Sequence, residues 1–170
     1  VGQLAVAWTA HTGDIPQSTG AGAEDQNTPQ QIGDSLYVCT AYGKVLSLDV
    51  DTGAEKWKFY PQGKAPNWQR CRGLGYFDGN ADAVAASRSF NQSVAAVSPA
   101  ANADAAACTR RLFLPTIDAR LIALDLATGK PCADFGNIGT VDLTEGMGEV
   151  KDGYYQQTSA PLVAGHLVIV

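Results

Sequence analysis

The sequence predicts an all-β chain built from repeated four-stranded antiparallel sheets. The first sign is a phrase that occurs twice. Leu36-Tyr37-Val38 through Lys44-Val45-Leu46-Ser47-Leu48-Asp49-Val50-Asp51-Thr52-Gly53 is matched without a gap, 76 positions on, by Leu112-Phe113-Leu114 through Arg120-Leu121-Ile122-Ala123-Leu124-Asp125-Leu126-Ala127-Thr128-Gly129. A fixed-period echo is the signature of a repeat architecture. The second sign is composition: 170 residues with 18 Gly, 8 Pro, 17 % charged and 45 % hydrophobic residues supply a core and many turns. That mixture favours short strands over long helices. A net charge of −5 excludes the basic footprint of a nucleic-acid binder, and no apolar window is long enough to span a membrane.

Element by element, the first copy reads as a meander. The stretch around Thr28-Pro29 is extended, Gln31–Asp34 turns, and Ser35–Thr40 alternates with aromatic and β-branched residues. Ala41-Tyr42-Gly43 turns into Lys44–Val50. Asp51-Thr52-Gly53 turns again, with Gly available for positive φ, into Glu55–Tyr60. Four such strands make one blade of a β-propeller. The second copy places its later strands at Arg111–Thr116, Arg120–Leu126 and Pro131–Phe135. A third begins at Pro161–Val170, which matches Pro29–Val38 at an offset of 132. Trp8 reads as part of the last strand of a preceding blade, 49 residues before Trp57. The expected organisation is a fragment of one propeller: the end of a blade at 1–20, a blade at 21–62, a blade at 63–140 carrying an inserted loop at 79–107, and the start of another at 141–170. A short helix through Asp82–Ala86 is expected inside the insertion. Repeat units bury their faces only against neighbours, so the chain is expected to be part of a larger protein.

The four cysteines, Cys39, Cys71, Cys108 and Cys132, fit no zinc spacing. Cys71 and Cys108 flank the most irregular stretch, where a disulfide could close a loop in an oxidising compartment; four buried thiols are the alternative. His11 and His166 fall in polar connections, and no Ser/His/Asp or paired-carboxylate constellation emerges. Gly73-Leu74-Gly75 opens no helix, which leaves a nucleotide role unsupported.

Ser47-Leu48-Asp49-Val50-Asp51-Thr52-Gly53-Ala54-Glu55-Lys56-Trp57 resembles the tryptophan-docking motif of the quinoprotein dehydrogenases, which bind pyrroloquinoline quinone (PQQ). Copy two keeps Ala123, Asp125, Thr128 and Gly129 but has Ala133 where Trp is expected. A large flat ring between sheets buries much area, so Trp57 reads as structural. Cys71-Arg72-Gly73-Leu74-Gly75-Tyr76 resembles the segment whose Arg reaches the PQQ quinone oxygens. A planar donor fork suits neighbouring oxygens. Gln26, before Asn27-Thr28-Pro29, stands where relatives place a polar residue against the cofactor. Thr158, in Thr158-Ser159-Ala160-Pro161, resembles a Thr whose hydroxyl faces PQQ. Read without the resemblance, Arg72 is an ion-pair residue, Gln26 a turn residue and Thr158 a strand cap.

The resemblance is to the membrane-bound glucose and quinate/shikimate subgroup, and it implies an eight-bladed propeller at the periplasmic face of the bacterial inner membrane. It further implies PQQ and calcium as cofactors, a sugar or cyclic polyol as substrate, and ubiquinone as electron acceptor. The general-base Asp, the calcium ligands and any membrane segment are expected outside this chain, which alone should have no dehydrogenase activity. Trp68-Gln69-Arg70-Cys71 lacks the His usual in the glucose enzymes and tilts the substrate toward a quinate-like polyol. The alternatives are a non-enzymatic scaffold propeller of outer-membrane assembly, a soluble quinoprotein alcohol dehydrogenase, which the missing vicinal cysteine pair disfavours, and an extracellular binding module.

Overall fold

The computed structural model describes residues 2–15, 22–63, 69–80, 107–157 and 159–170. Among them are twelve strands, and no helix among them is long and apolar enough to cross a membrane. The first sheet contains β2 (Gln30–Ile32), β3 (Ser35–Cys39), β4 (Val45–Asp49) and β5 (Glu55–Phe59), hydrogen-bonded in chain order. The second contains β7 (Gly75–Asp78), β8 (Arg110–Pro115), β9 (Arg120–Asp125) and β10 (Thr140–Asp142), again in chain order. An antiparallel hairpin, β11 (Leu162–Ala164) and β12 (Leu167–Ile169), begins a third. The all-β propeller architecture thus holds. In strand β3 burial alternates residue by residue, whereas β9 is buried on both faces, as a central strand between two neighbouring sheets must be.

That two-sided burial divides the core in two. Leu112, Leu114, Ile122 and Leu124 face the first sheet and pack with Tyr37, Val45 and Trp57. Phe113, Leu121 and Ala123 face the other way, toward Val163 and Val168 of the hairpin. The period-two alternation of one strand therefore serves two interfaces at once.

Each Asp-x-x-Thr-Gly turn is held by its own aspartate. Asp49 Oδ1 accepts from Thr52 N–H at 3.0 Å and Thr52 Oγ1 at 2.8 Å; Asp125 Oδ1 accepts from Thr128 N–H at 2.9 Å and Thr128 Oγ1 at 2.7 Å. Asp125 Oδ2 also accepts from Cys108 N–H at 2.7 Å. Burial raises the Asp125 pKa, but the hydrogen bonds from Cys108 and Thr128 outweigh it and hold the carboxyl below its ordinary value. The turn glycines, Gly53 at φ 73° and Gly129 at φ 68°, take the backbone conformation that side chains disfavour. They also leave room for a ring. Trp8 lies on Gly53 and donates from Nε1 to Val50 O at 3.0 Å; Trp57 lies on Gly129 and donates to Leu126 O at 3.2 Å. Trp8 is expected in the last strand of a preceding blade, but residues 4–15 form no strand, and it is the ring alone that docks.

Two further expectations need correction. Pro131–Phe135 is not the fourth strand of the second sheet. Pro131 and Cys132 pair briefly with β9, through the Leu124–Pro131 bridge and Cys132 N–H to Ala123 O at 2.8 Å, and then the chain turns out. It returns as β10, opposite Arg120–Ile122. Proline cannot donate to a ladder, and the turn that follows carries positive φ at Gly136, Ile138 and Gly139. An aromatic ring does stand two residues beyond Ala133. Phe135 stacks edge-on against Phe113 with centroids 5.3 Å apart, as Trp57 lies against Tyr37 at 5.8 Å. The second correction is that Cys71 and Cys108 do not pair with each other. The disulfides are Cys39–Cys71 and Cys108–Cys132, with Cα–Cα distances of 5.9 and 5.7 Å. Cys71 ends β6 (Gln69–Cys71), which lies beside the end of β3, while Cys108 precedes β8 next to the start of the split strand. The insertion joins β7 to β8; its residues 81–106, including the expected helix at Asp82–Ala86, lie outside the described residues.

Candidate cofactor site

The chain reaches the inner strand of each sheet from the same end, and the candidate residues occupy those lead-in segments. Gln26 precedes β2, Arg72 precedes β7, and Thr158 precedes β11. Thr158 itself lies outside the described residues. A ladder that the sequence pattern does not announce brings the first two together. β1 (Ala23–Asp25) runs parallel to β6, with Asp25 opposite Cys71, so Gln26 and Arg72 follow side by side. Ala23-Glu24-Asp25 has no apolar alternation, which is why this strand gave no signal.

The lead-ins are in contact. Thr28 N–H donates to Arg72 O at 3.4 Å, and Gln30 Nε2 donates to Leu74 O at 2.8 Å. On the other side, a Cβ added to Gly73 would sit 3.1 Å from Ala160 Cβ, and one on Gly75 would sit 3.0 Å from Pro161 O. Glycine at 73 and 75 lets the third lead-in close onto the second. Arg72 thus stands between segments of both neighbouring sheets.

Gln26 and Arg72 are exposed. The Gln26 amide donates to Glu24 Oε2 at 2.5 Å, which leaves its carbonyl oxygen available as an acceptor. Among the described residues the Arg72 guanidinium has no hydrogen-bond or ion-pair partner. A planar cation and a carboxamide therefore share one end of the inner strands, with donors to spare for an oxygen-rich anionic ring system. They fit the quinone and carboxylates of PQQ. The set contains no carboxylate base, and the only His/Cys/Asp/Glu cluster with metal-ligand spacing among the described residues includes Cys108 and Cys132, whose sulfurs are bonded to each other. A cleft of about 380 Å³ lies apart from this site, lined in part by Asp118, Arg120, Asp142 and Lys151. Two of its carboxylates are internally satisfied, Asp118 by Arg120 and Thr116 and Asp142 by Thr144. Neither histidine belongs to the site; both are exposed.

Sequence reasoning missed Asn27 and Cys39. Asn27 Oδ1 accepts from Cys39 N–H at 3.4 Å, and the Cys39 disulfide partner is the residue before Arg72. Both lie in segments already singled out, but only the long-range pairing reveals what joins them.

Comparison with known proteins gives the chain's family. The chain is 47 % identical over 157 residues to a probable quinate dehydrogenase (quinone) of Xanthomonas campestris pv. juglandis, covering 92 % of this chain and 20 % of that protein. It is 42 % identical to the quinate/shikimate dehydrogenase (quinone) of Acinetobacter baylyi, covering 100 % and 20 %, and 37 % identical to quinoprotein glucose dehydrogenase A of Acinetobacter calcoaceticus, covering 100 % and 21 %. The chain spans about a fifth of the length of these relatives. The family model of the PQQ glucose/ethanol/alcohol dehydrogenase β-propeller domain matches residues 1–170, and the chain belongs to that family.

Proposed function

We propose that this chain is the part of a PQQ-dependent dehydrogenase that holds one side of the cofactor, with Arg72, Gln26 and Thr158 facing it. The observation that carries this reading is the meeting of three inner-strand lead-ins around an Arg72 guanidinium that has no partner among the described residues. Arg72 would hold the quinone oxygens through its donor fork, and Gln26 would offer an amide acceptor or, turned, a donor. When bound, PQQ supplies the two-electron acceptor that the protein's own side chains lack.

The whole protein's activity is proposed as oxidation of a quinate-like cyclic polyol, with glucose as the second candidate. Identity supports that order, at 47 and 42 % to the quinate relatives against 37 % to the glucose relative. Calcium, a quinone acceptor such as ubiquinone, and association with the membrane belong to the same proposal, through parts of the protein outside this chain. Two disulfides joining all four cysteines support an oxidising compartment such as the periplasm.

The test is Arg72→Ala in the full-length protein, with PQQ binding followed by calorimetry. Loss of charge-assisted hydrogen bonds worth about 1.5–3 kcal/mol predicts a dissociation constant about 10- to 150-fold higher. Arg72→Lys should restore only part of it, because a point charge lacks the fork. Wild-type affinity in Arg72→Ala would sink the assignment of Arg72 to the cofactor, whereas no PQQ binding by the wild-type protein would favour the non-enzymatic scaffold.

A further inference from the structure

The two candidate lead-ins carry exposed polar side chains on short irregular segments, yet a cofactor contact needs its donor fixed in place. Arg72 and Gly73 themselves are weakly held. Thr28 N–H reaches Arg72 O at 3.4 Å, a long hydrogen bond, and Gly73, at φ 150°, is the residue with most backbone freedom. On the other side of Arg72, Leu74 is buried and its carbonyl accepts from Gln30 Nε2 at 2.8 Å; before Arg72 the anchor is covalent. Cys71, immediately before Arg72, is bonded to Cys39, the last residue of β3 in the first sheet. Both are buried, at 3 and 0 % exposure.

The disulfide also touches the segments of both candidate residues. Cys39 Sγ lies 3.1 Å from Asn27 Oδ1, next to Gln26, and Cys71 Sγ lies 3.7 Å from Gly73 O, on the far side of Arg72. Asn27 Oδ1 accepts from Cys39 N–H as well, so one side chain joins the Gln26 segment to the cysteine. Covalent bond, amide and sulfur contacts form a single connected unit: Gln26–Asn27, Cys39–Cys71, Arg72–Gly73. The second disulfide offers a contrast. Cys108–Cys132 closes a loop of similar length, 24 against 32 residues, but joins segments that border Asp125 and β9, with no candidate residue beside it.

We propose that the Cys39–Cys71 disulfide and Asn27 act as a clamp that positions Arg72 and Gln26 for the cofactor, a role distinct from stabilising the sheets. Cys39, Cys71 and Asn27 are positioning residues that act through Arg72 and Gln26. The inference rests on the reading of Arg72 as a PQQ contact.

The experiment titrates PQQ calorimetrically into the full-length protein and compares Cys39→Ala/Cys71→Ala with Cys108→Ala/Cys132→Ala, at a temperature where both remain folded by circular dichroism. Chain-entropy considerations give the two deletions similar effects on stability. The clamp variant should bind PQQ at least about tenfold more weakly than wild type, and the control pair within about twofold. Combined with Arg72→Ala, clamp removal should add a clearly smaller loss than it causes alone, since the Arg72 contact is already gone and only that of Gln26 is left to position. Equal losses in the two cysteine pairs, wild-type affinity in the clamp variant, or losses that multiply in the combined variant would each overturn the proposal. Should the clamp variant fail to fold, Asn27→Ala keeps both disulfides and is expected to weaken PQQ binding about three- to tenfold; unchanged affinity there overturns it. The two readings fail differently. PQQ binding that ignores Arg72→Ala refutes the site assignment and the clamp together, whereas binding that needs Arg72 but not the disulfide or Asn27 refutes the clamp alone.

Discussion

The glycine of each Asp-x-x-Thr-Gly turn has two duties, and Gly129→Ala separates them. At φ 68° an alanine is strained, by about 1–2 kcal/mol for a left-handed backbone. Its Cβ would also lie 2.4 Å from Trp57 Cε3, 2.7 Å from Cδ2 and 2.9 Å from Cζ3. Carbon atoms rest about 3.5–4.0 Å apart, so the indole must retreat by about 1 Å. Trp57 Nε1 already sits 3.2 Å from Leu126 O, and such a shift takes that hydrogen bond out of range. A part-buried donor left without its acceptor costs about 1–3 kcal/mol. Together the substitution should destabilise by about 2–5 kcal/mol, reaching the upper end for a single change. The assay is a double-mutant cycle in the full-length protein, read as urea-unfolding midpoints of wild type, Gly129→Ala, Trp57→Ala and the pair. With the ring gone only the backbone strain remains, and Gly129→Ala should cost about 1–2 kcal/mol in the Trp57→Ala background. Additive costs would refute the reasoning, because they would mean that the glycine does not serve the ring.

The second sheet carries two more predictions. Asp125→Asn places an amide NH₂ opposite Cys108 N–H and should cost about 1–3 kcal/mol at neutral pH. Because the Asp125 carboxyl is held below its ordinary 3.8 in the folded chain, its contribution is present above that value and disappears as pH falls through the lowered one. Stability measured from about pH 6 to about pH 2 should therefore decline less steeply in Asp125→Asn than in wild type; identical slopes would show that the carboxyl does not titrate differently on folding. Phe135→Ala should lower stability by about 2–4 kcal/mol by removing the ring that packs on Phe113, and Ala133→Trp in that background should not restore it. A loss under about 1 kcal/mol would deny Phe135 that packing role.

The strands of the repeated phrase were legible as short apolar and aromatic runs between turn residues, although burial alternates in β3 while β4 and β9 are buried on both faces. Ser35–Cys39, Val45–Asp49 and Glu55–Phe59 fall within a residue of the runs seen in sequence, as do Arg110–Pro115 and Arg120–Asp125. The docking turns were legible too, since Asp, Thr and Gly each have one local task there. What escaped was non-local. The cysteine pairing depends on which strand ends lie together, and sequence separation says nothing about that. Pro131 and the turn after it split a strand whose two halves are recognisable only by their shared partner, β9. The β1–β6 ladder joins two connections, neither of which carries an apolar pattern.

The candidate site shows the same division of labour at the level of whole sheets. Inside each repeat the residues are committed to packing: β9 has a neighbour on either face, and the turn glycines are covered by indoles. Chemistry is left to the connections, where side chains are not needed to hold sheets together. Yet the connections depend on the sheets, for Arg72 lies between Thr28 of one lead-in and Ala160 of another. One device sets the spacing at both ends of the blades. At the turn end Gly53 and Gly129 let a neighbour's ring lie against backbone; at the lead-in end Gly73 and Gly75 let the next chain segment approach to within about 3 Å of where a Cβ would stand. A bulkier residue at either end would push adjacent sheets apart, and the gap would open at the lead-ins where Gln26 and Arg72 are proposed to face one ligand together.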